Sequence, residues 1–255
     1  MYAKERQDAI LKILEKHEHV TVKELVDTLF FSTATINRDL NTLKKQNLIV
    51  RSFGGVELNK KFDSALAHRY EVMSREKDRI GYLAAKEVTD GDIIFIAAST
   101  TTQAMIPYLK KNKKLVVITN NLAAASYLSS HGIGAICLGG HIREVPYFTG
   151  SEDTLNSIPM YHATKMFFSS TGMTTDGKIV ASMYRTILKA MMRNSDKIYY
   201  LTDHSKIGAD AKIYLGDLGL VDTVISDVDI SDGLKDLYPN VEFISADNTK
   251  KSSSK

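Results

Sequence analysis

The spacing of hydrophobic residues predicts three short helices at the start of the chain. Residues 4–16 carry apolar side chains at the 3.6-residue period of an amphipathic helix, which predicts the first helix. The second helix begins after Thr21, because Thr21 precedes Glu24 by the three residues of a capping box. The third begins after Ser32, a favourable N-cap residue. The buried stripe of this third helix is expected to consist of Ile36, Leu40 and Leu43.

A short hairpin is predicted directly after the third helix. Apolar runs at residues 48–51 and 56–58 flank Gly54 and Gly55, a pair typical of a tight turn. This order of elements is typical of a winged helix-turn-helix domain, which we place at residues 1–58, although periodicity alone also allows a plain three-helix packing unit. The residues expected to contact double-stranded operator DNA are Ser32, Thr33, Thr35, Asn37, Arg38, Asn41, Lys45 and Arg51.

From residue 76 the pattern changes to alternating strands and helices. Short apolar runs predict buried strands of a parallel sheet that is covered by helices on both faces. They lie at residues 93–96, 115–118, 135–138, 166–168, 198–201, 223–225 and 241–244. Residues 76–247 are therefore expected to form a larger α/β domain, joined to the first by a linker at residues 59–75. Residues 248–255, rich in serine and lysine, are predicted to be a disordered tail.

Composition and charge exclude few functions. The chain has 255 residues, of which 44% are hydrophobic and 25% charged, and its formal net charge is +3. Residues 1–57 contain nine Lys and Arg against eight Asp and Glu, a difference of +1. DNA binding would therefore depend on the placement of charge and on oligomerisation rather than on bulk attraction.

The chain is expected to be cytoplasmic, with no membrane partner. No apolar run is long enough for a membrane span, and the charged N-terminus is unlike a signal peptide. The single Cys137 suits a reducing compartment and is predicted to be a small core residue. The histidines lack metal-ligand spacing, and a Ser/His/Asp set adjacent at residues 203–205 is unlike a hydrolytic triad. We therefore expect no metal, no cofactor and no catalytic residue.

The segment STATINRDL at residues 32–40, with RSFGG at residues 51–55, resembles the N-terminal domain of the DeoR family of bacterial transcriptional regulators. That signature normally has two adjacent arginines before the Asp-Leu pair. Here Asn37 stands in place of the first arginine and Arg38 keeps the second. The resemblance implies an operator-binding domain. Because asparagine pairs better with adenine than with guanine, no operator sequence carries over from a relative.

Polar loops follow four of the predicted strands, at the sheet edge where ligands bind in such folds. They lie at residues 97–102, 119–121, 139–140 and 202–206 and supply hydroxyls, backbone amides, a carboxylate and an ammonium. Hydroxyls and amides at the start of a helix are typical of a phosphate cradle. The candidate effector-binding residues are Ser99, Thr100, Thr101, Thr102, Thr119, Asn120, Gly139, Gly140, Asp203 and Lys206.

The order of these loops, across most of residues 76–227, resembles the C-terminal domain of the DeoR family. That domain is similar to the folds of ribose-phosphate isomerase and glucosamine-phosphate deaminase, and it senses phosphorylated sugars. The resemblance implies a Rossmann-like α/β domain whose loops line an effector pocket, with the hydroxyl loop and Lys206 as phosphate ligands. It also implies a repressor of sugar or related metabolism. A homo-oligomer, dimer or tetramer, is expected because one winged domain reads only a few base pairs.

Several positions depart from the family pattern. Ala97 and Ser99 stand where the first loop usually has Asp and Gly. Thr164 and Tyr184 replace acidic residues, and Leu188 replaces a basic one. The missing carboxylates would remove the general acids and bases of aldose–ketose isomerisation and acceptors for sugar hydroxyls. We therefore expect an atypical effector or weakened sensing.

Three functions compete at this point. The leading one is a sequence-specific transcriptional regulator that a phosphorylated metabolite releases from DNA. The first alternative is a sugar-phosphate isomerase or deaminase with an accessory DNA-binding domain, against which the missing carboxylates count. The second is an architectural DNA-binding protein whose larger domain only oligomerises. Stabilisation by a bound ligand would favour the sensor over the architectural protein.

Overall fold

The structure divides the chain between Val72 and Met73 into two units. The computed structural model describes residues 3–17, 19–45, 48–52, 55–58, 73–109, 114–143, 148–180 and 184–247. The larger part of the predicted linker, the first glycine of the predicted turn and the predicted tail lie outside these residues. Hydrophobic residues of each unit form clusters of their own.

Local caps begin the helices of the N-terminal unit where the sequence predicts them. Thr21 Oγ1 accepts a hydrogen bond from the Glu24 amide at 3.2 Å, and Glu24 Oε2 accepts one from the Thr21 amide at 2.7 Å. Ser32 Oγ accepts one from the Thr35 amide at 3.2 Å. Both predicted N-caps are confirmed. The elements are α1 (Ala3–Lys16), α2 (Val22–Leu29), α3 (Thr33–Lys45), β1 (Ile49–Ser52) and β2 (Gly55–Leu58).

One hydrophobic core joins the three helices to the hairpin. The predicted stripe of α3, formed by Ile36, Leu40 and Leu43, is buried against residues that include Leu25 of α2 and Val56 of β2. The strands β1 and β2 pair antiparallel and form the predicted wing. The hydrophobic stripe therefore fixes which face of α3 points inward, and the opposite face is left to solvent.

A buried carboxylate ties the third helix to the first. Asp39 of α3 accepts hydrogen bonds from Arg6 Nη2 and from Gln7 Nε2 of α1, both at 3.2 Å, and a further one from Arg6 Nε. Removing the arginine would leave a buried carboxylate without its cation, which is strongly destabilising in proteins. This contact therefore holds α3 in place against α1.

The larger unit is built on a parallel sheet, as predicted. Its strands are β3 (Ile93–Ile96), β4 (Val116–Thr119), β5 (Gly134–Cys137), β6 (Ile142–Arg143), β7 (Phe148–Thr149), β8 (Ala163–Phe168), β9 (Lys178–Val180), β10 (Ser195–Thr202), β11 (Tyr214–Asp217), β12 (Thr223–Ser226) and β13 (Glu242–Ser245). Within the described residues, seven of them form one parallel sheet in the order β13-β12-β10-β8-β3-β4-β5. These are the seven strands that the apolar runs predict.

Helices cover both faces of this sheet. They are α4 (Ser74–Lys86), α5 (Thr100–Gln103), α6 (Leu122–Ser130), α7 (Glu152–Ser157), α8 (Arg185–Arg193) and α9 (Asp232–Leu237), with 3₁₀ turns at Ile106–Tyr108, Ile158–Met160, His204–Lys206 and Leu218–Leu220. Successive residues of β3 point to opposite faces, so Phe95 belongs to one core cluster while Ile94 and Ile96 belong to the other. Ile94, Phe95 and Ile96 are all buried, so this run of β3 is apolar on both faces.

Three details differ from the sequence-based expectations. Helix α4 begins at Ser74, two residues before the predicted domain boundary. Cys137 is exposed rather than buried, because it ends β5, which is an edge strand with a neighbour on one side only. The short antiparallel pairs β6–β7 and β9–β11 were not predicted. Among the described helices, none combines the length and the apolarity that crossing a membrane requires.

Replacing Phe30 by glycine is expected to stabilise the N-terminal unit. Phe30 has φ 56°, in the left-handed region that disfavours residues with a Cβ, and its side chain is 90% exposed. Phe30→Gly would relieve that strain and lose little buried area, so the free energy of unfolding should rise by about 0.5–1 kcal/mol. Denaturant unfolding of the full chain measures this. Phe31→Gly should have the opposite sign, because Phe31 packs on the core. A loss at Phe30 would contradict the prediction.

Candidate DNA-binding surface and effector site

The solvent-facing side of α3 carries most of the residues predicted to contact DNA. Ser32, Thr33, Arg38 and Asn41 are exposed, and Thr35 is half-buried. The Ser32 hydroxyl is engaged in capping the helix, which places the exposed Thr33 at its leading end. The helix extends to Lys45, whose side chain lies outside the described residues. Polar side chains at the leading end and along one face of a helix suit a major groove.

Two of the predicted DNA contacts bind each other. Arg51 Nη2 on the wing donates to Asn37 Oδ1 on α3 at 2.8 Å and lies 3.5 Å from the Asn37 carbonyl oxygen. The Arg51 Nε atom is buried and has no hydrogen-bond partner among the described residues. The guanidinium therefore joins the wing to the recognition helix, and both residues have a structural role that the sequence did not reveal.

The sheet order of the larger unit creates a crevice between β3 and β8. From β3 the chain proceeds outward to β4 and β5, whereas β8, β10, β12 and β13 lie on the other side. In open parallel sheets, ligands bind at the carboxyl ends of the strands where the strand order reverses in this way. The loops after β3 and β8 therefore flank the place where the fold favours a ligand, and the predicted loop after β10 follows the next strand of the sheet.

Lys206 bridges this crevice. Its Nζ atom donates to Thr101 Oγ1 at 2.8 Å and to Ser169 Oγ at 3.2 Å, and it lies 3.2 Å from Asp203 Oδ2. Thr101 lies in the first turn of α5, after β3, and Ser169 directly follows β8, so the ammonium joins both walls. Thr101, Asp203 and Lys206, predicted from three separate positions in the sequence, are thus brought together in one cluster, which we call the Lys206 cluster with Ser169 included.

Asp203 is almost fully buried beneath the Lys206 ammonium. Burial by itself would raise the pKa of this carboxyl group. The charge of Lys206, the hydrogen bonds from Ser205 and Lys206, and the charge of Lys77 outweigh burial and hold the pKa of Asp203 below its usual value. The carboxylate is therefore anionic, and it orients the lysine.

A second acid–base pair lies on the opposite side of β10. His204 Nδ1 is 2.6 Å from Asp227 Oδ2, and the His204 amide donates to Asp227 Oδ1 at 2.8 Å. The hydrogen bond to Asp227 raises the pKa of His204 against a smaller lowering by desolvation. Asp227 follows β12, so this pair lies at the same carboxyl edge but on the side of β10 away from β8.

Other predicted effector residues hold the loops together. Ser99 Oγ accepts from the Thr102 amide at 2.9 Å, and Thr102 Oγ1 donates to the Ala97 carbonyl at 2.7 Å. Thr119 Oγ1 donates to the Ile96 carbonyl at 2.6 Å. These hydroxyls are engaged with the backbone of the loop after β3 and support its shape. Thr100, at the start of α5, is half-buried.

The predicted Asn120 also cross-links loops. Its Oδ1 accepts from the Ala98 amide at 2.9 Å, and its Nδ2 donates to the Thr149 carbonyl at 3.0 Å. The Gly139 carbonyl accepts from Thr154 Oγ1 at 2.7 Å. Gly140 has φ +122°, and a Cβ there would lie 2.4 Å from a neighbouring hydroxyl oxygen, so the turn requires glycine.

The positions that depart from the family pattern have different surroundings. Ala97 and Leu188 are buried in the core. Tyr184 precedes α8 and packs edge-on against Phe148, with ring centres 4.6 Å apart. Thr164 lies near the start of β8 and donates to Asp92 at 2.8 Å, at the opposite edge of the sheet from Lys206. The interpretation of Thr164 as a pocket position is therefore wrong, because parallel strands put their starts and their ends on different edges.

Three residues near the site were missed from the sequence. Ser169 and Asp227 directly follow strands, the same signal that identified Thr119 and Asp203. Lys77 of α4 is buried and acts electrostatically on Asp203. The sequence did contain a sign that Lys77 is buried, because Lys77 lies three residues before Ile80 and therefore on the apolar face of the helix.

Both units match models of one family. Residues 6–62 match the DeoR-like helix-turn-helix domain, and residues 72–228 match the DeoR C terminal sensor domain. The chain belongs to the DeoR family. It is a DNA-binding transcriptional regulator, and the resemblance carried by residues 32–40 and 51–55 is confirmed.

Named relatives extend over nearly the whole DeoR-family chain. The HTH-type transcriptional repressor GlcR of Bacillus subtilis (strain 168) is 33% identical over 232 residues, 89% of each chain. The glycerol-3-phosphate regulon repressor of Escherichia coli (strain K12) is 30% identical over 227 residues, 88% of this chain and 90% of the relative. The lactose phosphotransferase system repressor of Streptococcus mutans is 30% identical over 251 residues, which are 96% of this chain and 100% of the relative.

The comparison with solved structures gives matches of low sequence identity. The translation initiation factor eIF-2B of Pyrococcus horikoshii OT3 is 16% identical, covers 92% of this chain and 91% of its own, and has a TM-score of 0.50. Ribose 5-phosphate isomerase A of Methanocaldococcus jannaschii is 17% identical, covers 53% of this chain and 55% of its own, and has a TM-score of 0.40. At these identities the likeness concerns the fold alone. The fold class expected from the sequence is confirmed.

Proposed function

We propose that this DeoR-family protein is a sequence-specific repressor of sugar or related metabolism whose DNA binding is controlled by a phosphorylated metabolite. The three named relatives are all repressors, and one of them is named for the glycerol-3-phosphate regulon. The observation that carries the proposal is the ammonium of Lys206, held across the crevice between β3 and β8. A cytoplasmic location is part of the same proposal.

The Lys206 cluster has the chemistry of a phosphate site. Thr101 Oγ1 and Ser169 Oγ accept hydrogen bonds from the ammonium, so each hydroxyl keeps its own proton to donate. A phosphate placed over the cluster would meet two hydroxyl donors and one cation. Charge-assisted hydrogen bonds of this kind are roughly twice as strong as neutral ones. The predicted residues that support the loop after β3 would hold these donors in position.

The same cluster is poorly suited to the isomerase alternative. Aldose–ketose isomerisation needs a general base whose pKa lies near the working pH. Asp203 is buried, its pKa is lowered, and its oxygens are engaged by Ser205 and Lys206. Such a carboxylate is a weak base that orients a lysine. We therefore propose a sensor rather than an enzyme, and incubation of the purified protein with sugar phosphates tests the difference.

Arg38 is proposed as the strongest single contributor to DNA recognition. It is exposed on the face of α3 opposite the buried stripe. Arg38→Ala should weaken binding by about 1–3 kcal/mol if the guanidinium makes a bidentate base contact, and should relax specificity at one base pair. Fragments selected from genomic DNA provide the operator for titration. Lys12→Ala, which removes one exposed charge from α1, is the control, and an equal loss in both variants would contradict a base contact.

Lys206→Met is expected to remove phosphate binding without removing DNA binding. The variant loses the cation of the cluster, so affinity for phosphorylated sugars and for inorganic phosphate should fall at least tenfold by calorimetry. Operator affinity without ligand should stay within about threefold, since Lys206 and α3 belong to different units.

The matched control for this variant is Lys212→Met, which removes an exposed lysine a few residues further along the same unit. It should bind phosphate as the unmodified protein does. Unchanged phosphate binding in Lys206→Met would exclude the Lys206 cluster as the anion site. Tight binding of a neutral sugar that does not depend on Lys206 would exclude phosphate recognition as well.

We also propose that the protein acts as a homo-oligomer, a dimer or tetramer, assembled mainly by residues after 75. A single winged domain contacts a short DNA site, and linking two such domains raises affinity through effective concentration. Sedimentation of the full chain and of the 76–255 fragment should both give a dimer or a larger species. A monomeric fragment beside an oligomeric full chain would place the interface in the N-terminal unit instead.

A further inference from the structure

One stretch of the chain has no charged side chain although part of it lies at the surface. Residues 115–140 contain no Asp, Glu, Lys or Arg, whereas 25% of the whole chain is charged. This stretch forms the strand β4, the helix α6 and the edge strand β5. A lack of charge is ordinary for the buried strand β4. For the exposed parts it is the composition found at the centre of protein–protein interfaces, where charged residues are depleted.

Helix α6 exposes an uncharged face. Of the described helices with eight or more residues, it alone carries no Asp, Glu, Lys or Arg. Ala124 and Leu128 of α6 are buried in the core. The residues that face solvent include Leu122 and Tyr127, each 40% exposed. A helix on the surface of a protein typically carries charged and polar residues on its outer side, so the outer side of α6 suits contact with another surface.

The strand β5 has no device that protects an edge. Among the described residues it pairs only with β4. The Leu138 amide donates to the Thr119 carbonyl at 2.8 Å, on the β4 side. Because peptide groups alternate between the two sides of a strand, those of Ala135 and Cys137 are directed away from β4. Edge strands of natural proteins are commonly protected by a charge, a proline or a bulge, and the residues of β5, Gly134–Cys137, supply none of these.

The opposite edge of the same sheet provides a contrast. The strand β13 ends the sheet there, and it begins with Glu242, whose side chain is exposed. A carboxylate on an edge strand discourages pairing with a further strand. One edge of the sheet is therefore protected and the other is not. This difference indicates that the β5 edge is covered when the protein functions.

We propose that α6 and β5 form an interface with a second copy of this chain, whose β5 pairs antiparallel with the first. The proposal rests on the proposed function, since it locates an interface of the proposed homo-oligomer. Two identical edge strands related by a two-fold axis perpendicular to the sheet run antiparallel. Each then supplies the hydrogen-bond partners for the outward peptide groups of Ala135 and Cys137 in the other. The pairing joins the two sheets and covers both unprotected edges.

The lack of charge favours a copy of this chain over a different protein. Charged groups that match across an interface select one partner and suppress others, and the described residues of α6 and β5 offer no such groups. An uncharged surface also meets its own copy without any like-charge repulsion. Its peptide donors and acceptors match those of another unprotected strand, which a second β5 provides.

Cys137→Lys tests the interface by placing a charge on it. Cys137 is exposed, so the folded chain can accommodate the lysine, and two ammonium groups would lie close together where the strands pair. In sedimentation of the full chain, Cys137→Lys should form a smaller species than the unmodified protein, with a dissociation constant at least tenfold higher. Cys137→Ser keeps a small uncharged side chain and should assemble normally. Glu242→Lys places the same lysine on the β13 edge and should also assemble normally.

Cross-linking identifies the occupant of the surface. Cys137 is the only cysteine of the chain, so a short bismaleimide joins two copies through this residue alone. A short linker is long enough, because paired strands lie about 4.8 Å apart. The comparison is the double variant Cys137→Ser with Glu242→Cys, which moves the cysteine to the other edge. Partial burial raises the pKa of the Cys137 thiol, so yields are normalised to uptake of a monofunctional maleimide. At concentrations where the full chain is oligomeric, Cys137 should give at least tenfold more cross-linked dimer.

The contrary results are distinguishable. If Cys137→Lys sediments like the unmodified protein, or if both edges cross-link equally, the β5 interface is refuted and the proposed homo-oligomer stands. Equal dissociation in Glu242→Lys would refute the assignment to β5 in the same way. A monomeric unmodified chain would mean that another partner covers the surface, and it would refute the homo-oligomer while leaving phosphate binding at the Lys206 cluster intact. If thermal melting shows that Cys137→Lys does not fold, the cross-linking yields of the two edges decide the question.

Discussion

The arrangement of side chains at the carboxyl edge of the sheet depends on one buried carboxylate. Asp203 is almost fully enclosed, and a carboxylate in such a position is stable only with a cation beside it. That requirement draws Lys206 inward, and the lysine in turn reaches Thr101 and Ser169 on the two walls of the crevice. The geometry of the candidate site is thus a consequence of neutralising Asp203. The N-terminal unit also contains a buried carboxylate beside a cation, because Asp39 of α3 binds Arg6 of α1.

Much of the fold could be predicted because its strands are buried on both faces. Runs such as Ile93–Ile96 have no polar interruption, so their boundaries are visible in a single sequence. The helices of the N-terminal unit could also be predicted, because a capping box at Thr21 and a hydroxyl at Ser32 mark where two of them begin. The pair β9–β11 was missed because three and four residues of mixed polarity give no period to detect, and their pairing joins segments more than thirty residues apart.

The sequence predicted which loops form the candidate site. It did not predict which of their side chains face a ligand and which hold the loops together. Strand ends identify the edge at which the loops lie, so the sequence predicts Thr101 and Lys206 at one edge of the sheet. The order of the strands within the sheet, which brings the two residues into contact, was not predicted. The sequence could not distinguish a hydroxyl that faces a ligand from one that bonds the backbone, and Thr119 proved to be of the second kind. Thr164 was assigned to the wrong edge because similarity of position along the chain says nothing about which end of a strand is near a ligand.

The hydrogen bond between Arg51 and Asn37 has a consequence for what the Asn37 side chain can offer to a partner. The Asn37 side-chain oxygen accepts a hydrogen bond from the wing, so a base placed against Asn37 would meet its two N–H donors rather than the mixed donor and acceptor pair that matches adenine. An arginine at position 37 would instead place two guanidinium groups side by side. A substitution at either position therefore alters the hydrogen bonds that the other residue can make, so α3 and the wing cannot be changed independently at this contact.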